Sequence, residues 1–306
     1  MSLKFIRGTA SGKNDFWRYC VGVIAILGCW LASAVVAQLL SLNWWRFQGA
    51  AGPLPSVLES STPGLFNSAM LGTYVLLNLS FLVLGLSVIA VVTVLHQRSP
   101  ITLISPYRQF CYRRVGAGFG VWFAIAMGQT AIEYWLRPEA FVSDFSVQNW
   151  LLFLPLALIL TPIQTSAEEI FFRGYLLQAM GLVIRQPTAL ALVASLPFAT
   201  VHFANPEMGR DALWMGLAYF LLAIFLTGIT LKDGRLELAL GAHAANNLFV
   251  ALFVNTQDSV LQTPALTVQQ FPPDPRLTVL SLLVACALFY FCFFGRNQRN
   301  HDADSD

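Results

Sequence analysis

Charge is scarce in this chain. Aspartate, glutamate, lysine and arginine make up 11% of its 306 residues, while 56% are hydrophobic; a soluble domain carries about a quarter charged residues. The apolar runs are too long for a water-soluble core, so the composition excludes a soluble enzyme and implies a polytopic membrane protein. The net charge of +2 gathers into no basic face, which excludes nucleic acid as a partner. Five cysteines (Cys20, Cys29, Cys111, Cys286 and Cys292) lie in or near hydrophobic segments. Without CxxC spacing or an extracellular cluster they read as small apolar side chains, not as a disulfide framework or a zinc site. The zinc-protease HExxH pattern is absent. No serine or cysteine is marked as an activated nucleophile, and Ser166 is distinguished only by preceding two acids. Neither an inverted-transporter repeat nor a soluble domain is visible.

What the chain does have is apolar runs of spanning length. Residues 1–18 are polar and basic and read as a cytoplasmic N-terminal segment. The run over 19–40 is too long for a signal-peptide core and reads as a retained first span. Further spans are expected near 71–95, 115–136, from 149 into an acidic motif, 188–204, 213–231, 236–254 and 277–294. The fold class is therefore an all-α membrane protein, a polytopic bundle of about eight transmembrane helices over 19–294, with a catalytic core at about 149–254 and a tail at 295–306. With eight spans, the N-terminus, the 97–114 loop, Arg185, Lys232/Arg235 and Arg296/Arg299 share one side. The positive-inside rule makes that side, with both termini, cytoplasmic.

The few intramembrane charges concentrate in Ala167-Glu168-Glu169-Ile170-Phe171-Phe172-Arg173-Gly174. Charges at membrane depth are costly and mark function by default. On a helix Glu169 and Arg173 are four apart with the acid first, the favourable order for an ion pair. Glu168 is turned about 100° away. The pattern predicts that Arg173 holds Glu169 and leaves Glu168 free as a base, against the plainer reading of all three as a structural clamp. Of four histidines, His301 is in the tail and His96 reads as a solvated bystander beside Gln97 and Arg98. His202 closes Phe198-Ala-Thr-Val-His202, and His243 opens His243-Ala-Ala-Asn-Asn247, so either Asn246 or Asn247 can share its helix face. Glu168 and His202 lie 17 residues on either side of Arg185, which in an antiparallel hairpin puts them at equal depth. His243 joins them if that hairpin projects beyond the bilayer, Gly174–Pro187 lies at the interface and the helix breaks or kinks at Pro162. The expected meeting point is the cytoplasmic half of the membrane. A carboxylate near an imidazole can deprotonate water, and a histidine with an asparagine amide can stabilise an oxyanion.

Glu168-Glu169-x-x-x-Arg173, Phe198-x-x-x-His202 and His243-x-x-x-Asn247, in this order on separate spans, resemble the CPBP family of intramembrane proteases, also called Abi or CAAX-protease-like. The resemblance implies an intramembrane glutamic endopeptidase acting near the cytoplasmic face on CAAX-type or other membrane-associated or lipidated substrates. It makes Glu168 the general base, with His202 helping to hold the water. His243 and Asn247 become the oxyanion hole, and Glu169 and Arg173 take supporting roles. No cofactor is expected; the alternative is zinc on Glu168, His202 and His243. Other readings are a binding, immunity or scaffold protein of the same family, or an ion-coupled transporter. The expected setting is a bilayer, taken to be a bacterial plasma membrane. The sequence sets no oligomeric state.

Overall fold

Long apolar runs free of internal charge become helices, because helix formation satisfies every backbone polar group within the segment. The computed structural model describes residues 3–47, 68–143 and 145–295. Its helices are α1 (Phe16–Phe47), α2 (Ser68–Ala90, continued by a π-turn over Val91–Leu95), α3 (Tyr112–Leu136), α4 (Val147–Glu169), α5 (Leu177–Gly181), α6 (Pro187–Val201), α7 (Ala212–Asp233), α8 (Glu237–Leu252) and α9 (Pro275–Phe294). A π-turn over Ile170–Leu176 joins α4 to α5. Local chemistry sets the boundaries. Ser146, Asp211 and Asp274 accept backbone N–H groups at the starts of α4, α7 and α9. Gly234, at φ 70°, ends α7 in the left-handed conformation that glycine adopts without steric cost.

Among the described residues seven helical segments are long and apolar enough to cross a membrane, and their outward faces are apolar: Leu31, Val35 and Leu39 on α1, and Leu280, Leu283 and Leu288 on α9. The chain is an integral multi-pass membrane protein. Each expected span has its helix, but the seventh, α8, has only 16 residues, and about 20 are needed to cross the hydrocarbon core. It is an interior helix whose only residues not buried are Asn246, Asn247 and Val250.

Helix α8 packs against α3 and α4, α2 against α1 and α4, and α7 against α6 and α9. The α3–α8 contact is backbone on backbone. A Cβ on Gly241 would meet the Val115 carbonyl oxygen and stand 2.7 Å from the Phe119 nitrogen, and one on Gly118 would stand 2.5 Å from the Leu238 oxygen. Small residues permit such approach in membranes. Gly241→Ala is expected to destabilise the fold by about 1–3 kcal/mol, the usual cost of overpacking. Thermal unfolding in detergent measures it, and an unchanged midpoint would show that α3 and α8 can part freely.

The bundle has two unlike ends. At the basic end, the 3₁₀ segment Leu3–Ser11 inserts Phe5 and Ile6 into the core beside Leu177 and Leu231, so the N-terminal stretch is packed in rather than merely polar. Leu236 N–H donates to the Ile104 carbonyl, Gln178 to Thr102, and Arg114 pairs with Asp233. At the opposite end three short strands close the bundle, an element with no signal in the sequence. β3 (Thr267–Gln269) runs between β1 (Phe141–Val142, antiparallel) and β2 (Val254–Thr256, parallel).

Three local expectations are corrected. α4 runs helically through both Pro155 and Pro162; the irregularity is the π-turn one residue after the acid pair. Tyr175 and Gln178 are buried, so the start of the Gly174–Pro187 connection is core, not an interfacial segment. His96 is no bystander. It is fully buried, with Nδ1 donating to the Lys13 carbonyl at 2.7 Å and Nε2 2.9 Å from the Tyr175 hydroxyl. Burial pushes its imidazole below the ordinary histidine pKa, against the opposing hydrogen bond to Lys13. The loop expected at 49–66, Arg296, Arg299 and His301 lie outside the described residues.

Candidate active site

The Glu168–Glu169 pair sits on the last turn of α4, and helical geometry sends the two carboxylates in different directions. Glu169 is fully buried. Its Oε1 accepts from Arg173 NH1 at 2.7 Å and from His243 Nδ1 at 2.7 Å. The expected pair between Glu169 and Arg173 is present, with Arg173 1% exposed. Its guanidinium also stands 4.2 Å from the centre of the Phe198 ring, a favourable cation–π distance. The π-turn widens the helix just here, between the acid and its arginine. Such turns recur at functional sites.

Glu168 takes no part in that clamp. Its Oε1 accepts from Gln164 Nε2 at 3.0 Å, and its Oε2 stands 3.8 Å from His243 Nε2. That gap is too long for a direct hydrogen bond, and a water molecule can bridge it. His243 therefore faces both acids, Glu169 through Nδ1 and Glu168 across the gap. Because Glu169 already accepts from Arg173, Nδ1 of His243 is the donor, and a neutral ring presents an unprotonated Nε2.

His202 follows α6 on a short 3₁₀ turn (His202–Ala204). Its Nδ1 donates to the Phe198 carbonyl at 2.7 Å, so the neutral ring keeps Nε2 as an acceptor. The ring lies between Phe198 and Tyr219, each with its centroid at 4.3 Å. Phe198 thus has two tasks, fixing His202 through its carbonyl and covering Arg173 with its ring. On α8, Trp122 Nε1 donates to Asn246 Oδ1 at 3.3 Å, and Asn246 Nδ2 to Asn247 Oδ1 at 3.1 Å. This chain fixes the Asn247 amide with its own N–H groups available.

Glu168, His202, His243, Asn246 and Asn247 all line one cavity of about 530 Å³. Its walls are largely apolar, with Trp30 and Phe81 on one side and Phe172 and Leu222 on others. Farther along stand Tyr219 and Glu207, which are hydrogen-bonded to each other, and Arg210, whose guanidinium grips Asp258 with Nε–Oδ2 at 2.5 Å. Burial opposes ionisation of Asp258, but the bond and charge of Arg210 hold its carboxyl below the ordinary aspartate pKa. Among the described residues no three His, Cys, Asp or Glu side chains are grouped as a metal would need. Glu168, His202 and His243 share the cavity without forming such a donor set, and no step below is routed through zinc.

Of the residues expected to form the site, Glu168, His202, His243 and Asn247 line this cavity, and Glu169 and Arg173 are buried beside it. Sequence reasoning missed Gln164, Tyr219 and the Glu169–His243 bond. Gln164 was within reach, standing one helical turn before Glu168. The other two join residues of different helices.

A membrane-embedded helical bundle whose cavity is lined by Glu168, His202, His243 and Asn247, with Glu169 buried beside it, defines the class. Residues 147–249 match the family model described as type II CAAX prenyl endopeptidase Rce1-like, and the chain belongs to this family, the CPBP family of membrane proteins. It is 32% identical over 257 residues to YyaK of Bacillus subtilis (strain 168), an uncharacterized protein, covering 84% of this chain and 83% of that one. No solved structure matches the chain.

Proposed function

We propose that this chain is an intramembrane endopeptidase in which Glu168 is the general base for an attacking water. The observation that carries the reading is the unequal setting of two adjacent carboxylates. Glu169 is committed to Arg173 and His243, whereas Glu168 faces the cavity with Oε1 held by Gln164 and Oε2 uncommitted. The family match supports it, since the matching model is described as that of an endopeptidase.

In this mechanism a water at Glu168 Oε2 gives its proton to the carboxylate as its oxygen attacks the scissile carbonyl carbon. His202, fixed through Nδ1, accepts a hydrogen bond from the water at Nε2. The oxyanion takes donors from the Asn247 amide and from His243 Nε2. That nitrogen donates only when the ring carries both protons, because Nδ1 is committed to Glu169. The imidazolium would lie between two carboxylates. The C–N bond then breaks, and protonated Glu168 delivers its proton to the leaving amine. General-base assistance of this kind contributes about 10²–10⁴ in rate.

The test uses purified protein in detergent, apolar peptide libraries with and without a lipid anchor, and mass spectrometry of the products. Hydrolysis of an internal peptide bond is expected, persisting after exhaustive chelation. Stoichiometric zinc whose removal abolishes turnover, and whose return restores it, would overturn the metal-free mechanism. Absence of any peptide hydrolysis would overturn the whole reading.

A further inference from the structure

The cavity reaches only one end of the bundle. Its lining comes from residues 30–34 of α1, 74–84 of α2, 161–172, 198–222, 243–251 of α8 and the loop after it. No part of 3–29, 85–160, 173–197 or 223–242 contributes. The excluded stretches include every segment that builds the basic end: Leu3–Ser11, the 96–111 loop, the α5–α6 turn and the α7–α8 turn. The buried layer of Glu169, Arg173 and Tyr175 separates that end from the cavity. On the other side the walls continue through Tyr219 and Val250 to Glu207, Arg210 and Val260, beside the strands that close the far end.

The two ends also differ in charge. The basic end carries four lysines and arginines in residues 4–18, four more in 98–114, then Arg185, Lys232 and Arg235. The cavity end has Arg46, Arg137, Arg210 and Arg276, and of these Arg210 is neutralised by Asp258. Lysine and arginine excess near span ends marks the cytoplasmic side.

We infer that the cavity opens to the extracytoplasmic face of the membrane and receives an apolar, uncharged stretch of polypeptide from that side. The inference rests on the endopeptidase reading for what is done to that polypeptide, but not for the direction of access. It reverses the expectation of a cytoplasmic opening: the catalytic groups lie at membrane depth, while the way in lies beyond them. The apolar character follows from the walls. Trp30, Phe81, Phe172 and Leu222 offer no partner to a charged side chain, and burying one unpaired is costly. Near the mouth Arg210 is paired with Asp258, and Glu207 accepts from Asn205 and Tyr219 at Oε1, with only its Oε2 lacking a partner among the described residues.

Two measurements test this. The first is labelling of intact cells with a membrane-impermeant maleimide, using Val260→Cys at the mouth and Arg185→Cys at the basic end, beside the parent protein as background. Val260 is 42% exposed and Arg185 is exposed as well, so both thiols are accessible wherever they face. Val260→Cys is expected to label in intact cells and Arg185→Cys only after permeabilisation. The reverse pattern, or labelling of Arg185→Cys in intact cells, overturns the sidedness.

The second adds apolar peptides to the outside of right-side-out vesicles. Cleavage outside, weakened when lysines flank the scissile bond, is expected. Cleavage only after detergent overturns the sidedness and leaves the peptidase reading standing. Equal cleavage of lysine-flanked peptides overturns the substrate class. No cleavage even in detergent overturns the peptidase reading, while the labelling still decides which way the cavity faces.

Discussion

Glu168→Gln is expected to abolish turnover while leaving the fold intact. The substitution keeps the size and planarity of the side chain and its place beside Gln164, but the amide cannot accept a proton from water. The expected loss is about 10²–10⁴ in kcat, equivalent to about 3–5 kcal/mol of transition-state stabilisation. Among the described residues Glu168 makes no close ion pair with a lysine or arginine, and His243 Nε2 stands 3.8 Å away. Thermal unfolding is therefore expected to stay within about 1 kcal/mol of the parent protein. Peptide cleavage at the parental rate in this variant would end the assignment of Glu168 as base.

The neighbouring residue is expected to behave in the opposite way. Glu169→Ala removes the acceptor for both Arg173 and His243 Nδ1, and Arg173 is 1% exposed with no other carboxylate bonded to it among the described residues. Breaking one side of a buried ion pair costs about 3–5 kcal/mol, because the remaining charge stays buried without compensation. A marked fall in the unfolding midpoint in detergent is expected. Glu169→Gln, which restores an acceptor without the charge, should recover part of it. An unchanged midpoint in Glu169→Ala would show that the clamp contributes nothing to the fold. Two identical residues adjacent in sequence thus separate into a variant that folds without turning over and one that fails to fold stably.

That separation was legible because it depends on helix geometry alone: Glu169 to Arg173 is one turn, and Glu168 points elsewhere. The spans were equally legible, since an apolar run of bilayer length has few alternatives to a helix. What failed depends on neighbours distant in sequence. His96 is buried because Lys13 and Tyr175, 83 and 79 residues away, close over it. Phe5 and Ile6 look like part of a polar leader until the core formed by other helices receives them. The strands are two or three residues long, too short for any alternation to register, and β1 finds β3 across more than a hundred positions. Of the break or kink expected at Pro162, the break is absent and the helix continues. The π-turn that follows the acids carries no mark in residue type.

The shortness of α8 bears on how the protein comes to be made. At 16 residues the helix is about 24 Å long, less than the hydrocarbon thickness, and it carries Glu237, His243, Asn246 and Asn247. Released alone into lipid, it would expose these polar groups to hydrocarbon. It gains a favourable place only against α3 and α4, which the ribosome has already delivered. Docking against α3 and α4, rather than independent insertion, is therefore the expected route by which α8 brings its half of the candidate site into place. On the proposed mechanism, the chain lacks both oxyanion donors, His243 and Asn247, until that late step.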